Sequence, residues 1–275
     1  ICYSLFVIGL QRTNMEAQVC KILIYPIKAL DGVERDRASV VSPGTLEFDR
    51  RWAIVDEKGK YVNGKRNPKV HQLRSQFDLT QPSVSLQKQG EATTATFNLV
   101  TEIEKLNQWL SDYFEKSVFL RENPAGGFPD DTEAYGPTII STATLETVAS
   151  WFSGLSVENA RSRFRANIEL SGVPPFWEDQ LFSTANSVVN FQVGNVEFAG
   201  VNPCQRCVVP TRNPHTAETY PQFQKVFTQN RQATLPPWSN PTRFNHYYRL
   251  SINTRILDNQ IGKLITIGDQ LTINL

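Results

Sequence analysis

Cysteine, methionine and histidine are scarce in this chain of 275 residues. Its four cysteines are too few for a disulfide scaffold of this length, which favours a reducing compartment. Its three histidines do not pair with a serine or cysteine in the order of a known catalytic triad. The apolar run over residues 1–10 is too short to span a bilayer, which takes about 20 residues. These shortages argue against a secreted mini-protein, a triad hydrolase and a membrane-spanning segment within this run.

The chain also lacks an excess of charge of one sign. Its net charge of +1 argues against a strongly basic nucleic-acid binder. The charge is uneven, because residues 21–74 hold 12 Lys and Arg against 7 Asp and Glu. This local excess predicts an anionic ligand bound at one place.

Short apolar segments separated by turn residues fill residues 19–99, and this pattern is typical of a β-barrel or sandwich. Helical spacing appears over residues 102–114 and 142–153, with Ser141 as the predicted cap of the second helix. A short helix is expected near 221–229. Further strands are expected at 168–170, 188–198, 247–252 and 264–273, with a hairpin turn at Gly194-Asn195. The fold class predicted is mixed α+β, mainly β.

The segment Glu122–Asp131 (ENPAGGFPDD) is the best candidate for a linker. We therefore predict a first domain over residues 19–125 and a second over residues 126–275. Residues 1–18 are expected to be a tail, either a non-native stub or a targeting stub, and are set aside from fold reasoning.

Residues 202–211 (NPCQRCVVPT) place Cys204 and Cys207 on a loop bounded by prolines. A structural zinc site needs four ligands, and no second cysteine pair exists. A thiol redox motif usually opens a helix, which the sequence after Cys207 does not favour. Two buried cysteines without a function remain as an equal alternative. The remaining interpretation is one thiolate on molybdenum, a soft metal whose pterin dithiolene leaves only one protein sulfur to supply.

Four blocks of sequence support this last interpretation through a family resemblance. They are YPIK at 25–28 followed by Gly32-Val33, DRRWAIV at 49–55, RFRANI at 163–168, and the cysteine loop with Pro210-Thr211 and Pro214. In order and spacing they resemble MOSC proteins that carry an N-terminal MOSC β-barrel domain, including the mitochondrial amidoxime-reducing component and its bacterial relatives. The resemblance implies an N-terminal β-barrel-like domain followed by a MOSC β-barrel domain with flanking helices.

The resemblance also implies roles for individual residues. Cys207 falls at the position of the metal ligand and catalytic cysteine. The positions that contact the molybdenum cofactor (Mo-molybdopterin) fall at Lys28, Arg50, Tyr135, Arg165, Asn167, Gln205, Arg206 and Tyr247. Three departures from the family pattern are Ala29 for a serine, Ala166 for a proline, and Lys65-Arg66 where Thr-x-Arg is common.

Residue patterns give further predictions around these positions. Because side chains alternate along a strand, only one of Arg50 and Arg51 can face inward, and Asp49 is expected to orient Arg50. The alternation of Arg161, Arg163 and Arg165 predicts a strand with an anion-binding face, with Phe164 pointing to the core. The adjacent acids of Trp177-Glu178-Asp179 are interpreted as structural.

The function implied is a molybdenum-cofactor oxidoreductase that reduces N-hydroxylated or related N-oxygenated small molecules by two electrons. No flavin, haem or iron–sulfur signature is present, so electrons are expected from a partner such as cytochrome b5 or a reductase. The alternative is a cofactor carrier or sulfur-transfer module, and a third possibility is a zinc-stabilised binding module.

No nucleic-acid or pyridoxal phosphate binding is expected. The expected location is cytoplasmic, or mitochondrial if a targeting segment precedes residue 1, with membrane association only through a truncated anchor.

Overall fold

The computed structural model describes residues 16–273 of the chain. Residues 1–15 of the predicted tail lie outside these described residues. The first part of the chain is built almost entirely from short strands. They are β1 (Ala17–Ile24), β2 (Val33–Arg35), β3 (Arg37–Val41), β4 (Thr45–Leu46), β5 (Trp52–Asp56), β6 (Leu73–Asp78), β7 (Ser83–Lys88) and β8 (Thr94–Asn98), followed by helix α1 (Ile103–Phe114) and strand β9 (Val118–Glu122).

The second part of the chain contains both strands and helices. Its elements are β10 (Ile139–Ser141), α2 (Thr142–Ser150), α3 (Val157–Phe164), β11 (Ile168–Ser171), β12 (Val189–Val193), β13 (Val196–Gln205), α4 (Phe223–Ala233), β14 (Arg249–Ile256), β15 (Leu264–Thr266) and β16 (Gln270–Ile273). Within residues 16–273 no helix is both long enough and apolar enough to cross a membrane.

A closed seven-stranded barrel is the centre of the fold. Its strands follow the order β11-β10-β14-β13-β12-β16-β1, and β1 closes the ring by pairing with both β16 and β11. Every pairing in the ring is antiparallel except that of β10 with β11. The barrel interior is filled by fully buried aliphatic and aromatic side chains such as Ile22, Ile168, Phe191, Val196 and Ile252. Because β1 belongs to the ring, the first strand of the described residues is part of the barrel that the second half of the chain forms.

A second hydrophobic core lies among the N-terminal strands. It contains Trp52, Ile54, Leu86, Leu106 and Val118, so that β5, β7, β9 and α1 pack together. A third core joins α2, α3 and α4 through stacked aromatic rings, among them Phe152 and Phe223, whose centroids lie 4.2 Å apart. The mainly β class, with a closed barrel and flanking helices, agrees with the sequence prediction.

Most predicted elements are confirmed. The Ser141 hydroxyl accepts a hydrogen bond from the Thr144 amide at 3.1 Å and so caps α2. The Gly194-Asn195 turn joins β12 to β13, and Val193 pairs with Val196 across it. The helix predicted at 102–114 is α1, and the one near 221–229 is α4.

One prediction is wrong. Arg161 and Arg163 lie in helix α3, and Arg165 is its C-terminal cap, so the three arginines do not share a strand face. Ser156 caps the start of α3 by accepting a hydrogen bond from the Asn159 amide at 3.1 Å. The buried residues Ala160 and Phe164 are four positions apart, the spacing of one helical face. In the sequence, the alternation of the three arginines suggested a strand and made this helical spacing hard to recognise.

Candidate functional site

A large cleft of about 890 Å³ lies where the N-terminal strands meet the barrel. Seven of the eight residues predicted to contact the cofactor line it, together with Cys207. They are Lys28, Arg50, Tyr135, Arg165, Asn167, Gln205 and Arg206. The structure therefore brings together groups that are up to 179 positions apart in the chain.

Arg50 enters the cleft directly before strand β5. Its backbone takes the left-handed conformation, with φ of 50°, which turns the side chain away from the path of the strand. Its guanidinium forms an ion pair with the carboxylate of Asp49 and lies 3.4 Å from the amide oxygen of Asn167. Its neighbour Arg51 faces outward and pairs with Glu122. Both predictions are thus confirmed: one arginine faces inward, and Asp49 orients it.

Asn167 joins the barrel wall to this arginine. Its side-chain amide donates to the carbonyl of Leu23 at 3.0 Å, and its oxygen accepts from the hydroxyl of Thr138 at 3.2 Å. Every polar atom of the Asn167 side chain therefore has a partner, so the side chain is held in place. The side-chain oxygen of Asn167 is therefore fixed beside the guanidinium of Arg50.

Lys28 is a buried cation at the end of the turn after β1. Its ammonium donates to the Phe128 carbonyl at 2.8 Å and pairs with Asp130 at 2.6 Å. Burial lowers the pKa of Lys28, and the Asp130 carboxylate opposes this shift. Burial alone would raise the pKa of Asp130, but Lys28 and Arg50 outweigh it and hold that pKa below its ordinary value. The Asp130 carboxylate therefore remains ionised near neutral pH.

The predicted linker Glu122–Asp131 runs across the cleft and supplies Asp130. A Cβ atom on Gly127 would lie only 2.7 Å from the Arg50 carbonyl oxygen, so glycine permits a close backbone approach there. The Phe128 amide donates to the same carbonyl at 2.8 Å. The segment is thus fixed against the Asp49–Arg50 pair. The division of the chain at residue 125 stays a prediction.

Arg165 is a cation of the cleft that has no anionic partner. Its guanidinium forms no hydrogen bond and no ion pair with any residue in the range 16–273. It lies over the ring of the buried Tyr25, 4.0 Å from the ring centroid. Burial lowers the pKa of Arg165, and Arg50 adds a like charge nearby. A half-buried arginine without an anionic partner has donors that an anion can accept.

Cys204 and Cys207 lie in the cleft as free, half-buried thiols. Between them, Arg206 donates to the Phe164 carbonyl at 2.7 Å, and its Nη1 lies 3.2 Å from the sulfur of Cys204. The Nε of Arg206 is buried without a partner among the described residues. The loop therefore presents two sulfurs and part of a guanidinium to the cleft.

Arg163 holds the cysteine loop in place by hydrogen bonds to its backbone and has no anionic partner among the described residues. It is 4% exposed and donates to the carbonyls of Pro210 and Arg212 at 2.7 and 2.5 Å. Burial lowers the pKa of Arg163 to about 10. Arg161 is likewise committed, since it pairs with Glu158 and Glu169. Of the three alternating arginines only Arg165 is therefore available to a ligand.

Tyr247 is the predicted contact that does not line the cleft. Its ring stacks on Phe244 at a centroid distance of 5.6 Å and packs against the barrel core. The next residue, Tyr248, lies toward the cysteine loop instead, and its hydroxyl is buried without a partner in the described chain. Burial raises the pKa of Tyr248.

Sequence reasoning missed a cluster at the far end of the cleft. Arg74 on β6 pairs with Asp31 at 3.1 Å, and its Nη1 lies 2.6 Å from Nδ1 of His215. It also donates to the carbonyl of Pro214 at 3.0 Å. These contacts join segments 43 to 141 positions apart, so no local pattern could indicate them. Within residues 16–273, no group of three or more His, Cys, Asp or Glu side chains is arranged to hold a metal ion.

Two family models match the chain: the MOSC N-terminal beta barrel domain over residues 16–117 and the MOSC domain over residues 138–272. The chain belongs to the MOSC family. The closed barrel and the N-terminal strand unit of this MOSC protein agree with these two matches.

Named relatives of this MOSC chain fall into two groups. The molybdenum cofactor sulfurase of Caenorhabditis elegans is 25% identical over 74% of this chain and 30% of its own length. The mitochondrial amidoxime-reducing component 1 of Homo sapiens is 25% identical over 72% of this chain and 67% of its own length. The chain thus spans less than a third of the first relative. Among solved structures, the YUAD protein from Bacillus subtilis aligns over 94% of both chains at 11% identity and a TM-score of 0.39, too distant a likeness to support any inference.

Proposed function

We propose that this MOSC protein is a molybdenum-cofactor oxidoreductase that reduces N-hydroxylated or related N-oxygenated small molecules by two electrons. The observation that carries the proposal is the unpaired Arg165 in the same cleft as the free thiol of Cys207. A cofactor with an anionic phosphate and a soft metal needs one group of each kind. The names of the relatives, which include amidoxime-reducing components and molybdenum cofactor sulfurases, support the same proposal.

The residues present fit such a cofactor. The cleft volume of about 890 Å³ is within the range of small-molecule and cofactor sites. Arg165 and the Nε of Arg206 have no partner in the described chain, and both are hydrogen-bond donors, which suits an electron-rich pterin and its phosphate. A half-buried free thiol completes the set.

Each residue then has a defined task. Cys207 is the protein sulfur ligand, and Arg165 binds the phosphate with Lys28 and Arg50 nearby. Asp49 fixes Arg50, and Arg163 holds the loop that carries Cys207. When bound, the cofactor supplies two-electron oxygen-atom transfer. The chain itself positions the cofactor and limits the access of water, as protein groups do in cofactor enzymes.

The electrons for this reaction come, in the proposal, from a partner protein such as cytochrome b5 or a reductase. The proposed location is the cytoplasm, or the mitochondrion if a targeting segment precedes residue 1.

A carrier or sulfur-transfer module is the second candidate function. Two observations favour it: both Cys204 and Cys207 are free in one cleft, and the relatives include molybdenum cofactor sulfurases. In that case the site binds the cofactor without turnover of an organic substrate. Turnover with an artificial electron donor separates the two functions.

The deciding experiment is elemental analysis of protein produced in a host that makes molybdenum cofactor. We expect about one molybdenum per chain, lost in Cys207→Ser and largely retained in Cys204→Ser, because a single sulfur suffices. Activity with a reduced viologen dye should follow the metal content. If Cys204→Ser is the variant that loses the metal, the ligand assignment is wrong. Zinc without molybdenum in the wild-type protein would refute the proposed function.

A further inference from the structure

Five of the six carboxylates that line the cleft have a cationic partner. The pairs are Asp31 with Arg74, Glu34 with Lys21, Asp49 with Arg50, Asp130 with Lys28, and Glu158 with Arg161. The sixth carboxylate, Asp131, has no lysine, arginine or histidine nitrogen within 4.0 Å in the described part of the chain. Asp131 is therefore the counterpart of Arg165: an ionisable group in the cleft that the protein itself does not neutralise.

Two asparagine side chains on the barrel wall lie next to this carboxylate and form a hydrogen-bonded chain with it. Asp131 accepts a hydrogen bond from Nδ2 of Asn253 at 3.1 Å, and the same nitrogen donates to the side-chain oxygen of Asn202 at 3.1 Å. Asn202 and Asn253 are directly opposite each other on β13 and β14, and Asn253 is 7% exposed. All three side chains line the cleft, so the strand pairing holds them in a fixed arrangement.

The arrangement has unused hydrogen-bond acceptors. A carboxylate offers about four acceptor sites. Asp131 uses one oxygen for the Glu133 amide at 2.9 Å and the other for Asn253. The remaining lone pairs therefore suit a ligand that donates N–H groups.

Two arginines that line the cleft, Arg243 and Arg249, make their hydrogen bonds to groups other than Asp131. Arg249 donates to the Pro203 carbonyl at 2.9 Å and to the side chain of Asn245 at 2.9 Å. Arg243 donates three of its five N–H groups to backbone carbonyls. Neither side chain lies within ion-pair distance of Asp131.

We propose that Asp131, supported by Asn202 and Asn253, forms a subsite for a planar amidinium-like or guanidinium-like group. Such a group has two parallel N–H donors that match the two oxygens of a carboxylate. Cys204 follows Asn202 by two residues on β13, so the subsite lies beside the cysteine loop. Its significance for catalysis rests on the proposed function: it selects N-hydroxy substrates that bear N–H groups over N-oxides that have none.

Binding of benzamidinium, compared with that of the neutral isostere benzamide, tests the subsite without any turnover. We expect the wild-type protein to bind benzamidinium about tenfold or more tightly by titration calorimetry, because a charge-assisted bond is lost with benzamide. Asp131→Asn, which keeps an oxygen for the Glu133 amide, should lose this preference, and Asp131→Glu should recover part of it. Glu133→Gln removes the same charge two residues away, outside the cleft, and should bind like wild type.

Equal affinity of the wild-type protein for the two compounds would overturn the subsite. So would an unchanged preference in an Asp131→Asn variant with a normal melting curve. If Asp131→Asn does not fold, the wild-type comparison and Asp131→Glu still decide, because a preference unaltered by the longer side chain contradicts the role of Asp131.

Turnover by molybdenum-loaded protein with a reduced viologen dye tests whether the subsite selects between substrates during catalysis. In Asp131→Asn we expect KM for N-hydroxyguanidine to rise about tenfold or more, with kcat and the kinetics of pyridine N-oxide little changed. An equal change for both substrates would overturn the selectivity. Absence of any turnover in wild-type protein that still prefers benzamidinium would refute the reductase proposal alone and leave the subsite in place.

Discussion

At the scale of single residues, the site depends on which charges the protein leaves unneutralised. Arg163 and Arg165 are two positions apart, yet Arg163 lies inside a helix and Arg165 caps it in the left-handed conformation, with φ of 54°. The first is therefore turned to the carbonyls of the cysteine loop, and the second to the cleft. A sequence pattern gives the residue type but not this difference, which is set by the end of the helix.

Arg165→Gln should release the cofactor. The substitution keeps a long polar side chain and the same backbone cost at positive φ, but it removes the charge that we assign to the phosphate. A charge-assisted hydrogen bond contributes about 1.5–3 kcal/mol, so cofactor affinity should fall about ten- to a hundredfold. The measurement is molybdenum and pterin content after dialysis. Arg37→Ala, an exposed arginine on β3, serves as the control. Full occupancy in Arg165→Gln would contradict the assignment.

At the scale of elements, α3 and the cysteine loop form one unit. Arg163 joins them through two carbonyls, at Pro210 and Arg212, and through the side chain of Asn159. Helices α1 and α2 could be predicted from their apolar spacing, since each has a clear amphipathic face. Helix α3 could not, because its alternating arginines imitate a strand and its contacts lie 47 and 49 positions away.

Arg163→Met should loosen the cysteine loop. Methionine fills a similar volume but donates no hydrogen bond, so buried carbonyls are left without partners at a cost of about 1–3 kcal/mol each. We expect a lower melting temperature and faster amide hydrogen exchange over residues 208–213, with little change in the barrel strands. Lys225→Met, at an exposed position of α4, is the matched control. If amide hydrogen exchange became faster to the same extent throughout the protein, the substitution would have lowered global stability, and Arg163 would not stabilise the cysteine loop locally.

At the scale of the whole molecule, two adjacent buried acids differ in how they are partnered. Glu178 is 1% exposed, and neither of its carboxylate oxygens has a hydrogen-bond partner among residues 16–273. The next residue, Asp179, pairs with the buried Arg231 of α4. The structural role predicted for these two acids from their sequence is consistent with these contacts. Their partners could not be predicted, because Arg231 is 52 positions away from Asp179.

Glu178 should make the stability of the protein fall as the pH rises toward neutrality. Burial, and then the charge of Asp179, raise the pKa of Glu178 to about 7 from an ordinary 4.5. The folded state therefore binds more protons than the unfolded state between about pH 4.5 and pH 7, and the free energy of unfolding decreases through that interval. The total loss is about 3 kcal/mol, at 1.36 kcal/mol for each pKa unit.

Glu178→Gln tests this directly, because glutamine resembles the protonated acid at every pH. The difference in unfolding free energy between the variant and the wild type should grow in favour of the variant from pH 5 to pH 8, as measured by urea denaturation. Glu146→Gln, at an exposed position of α2, should give a difference that does not depend on pH. Since Glu178 is remote from the cleft, cofactor content should be the same in both variants at pH 6. A constant difference between Glu178→Gln and wild type across the range would show that Glu178 does not titrate there, and that an unseen partner stabilises its charge.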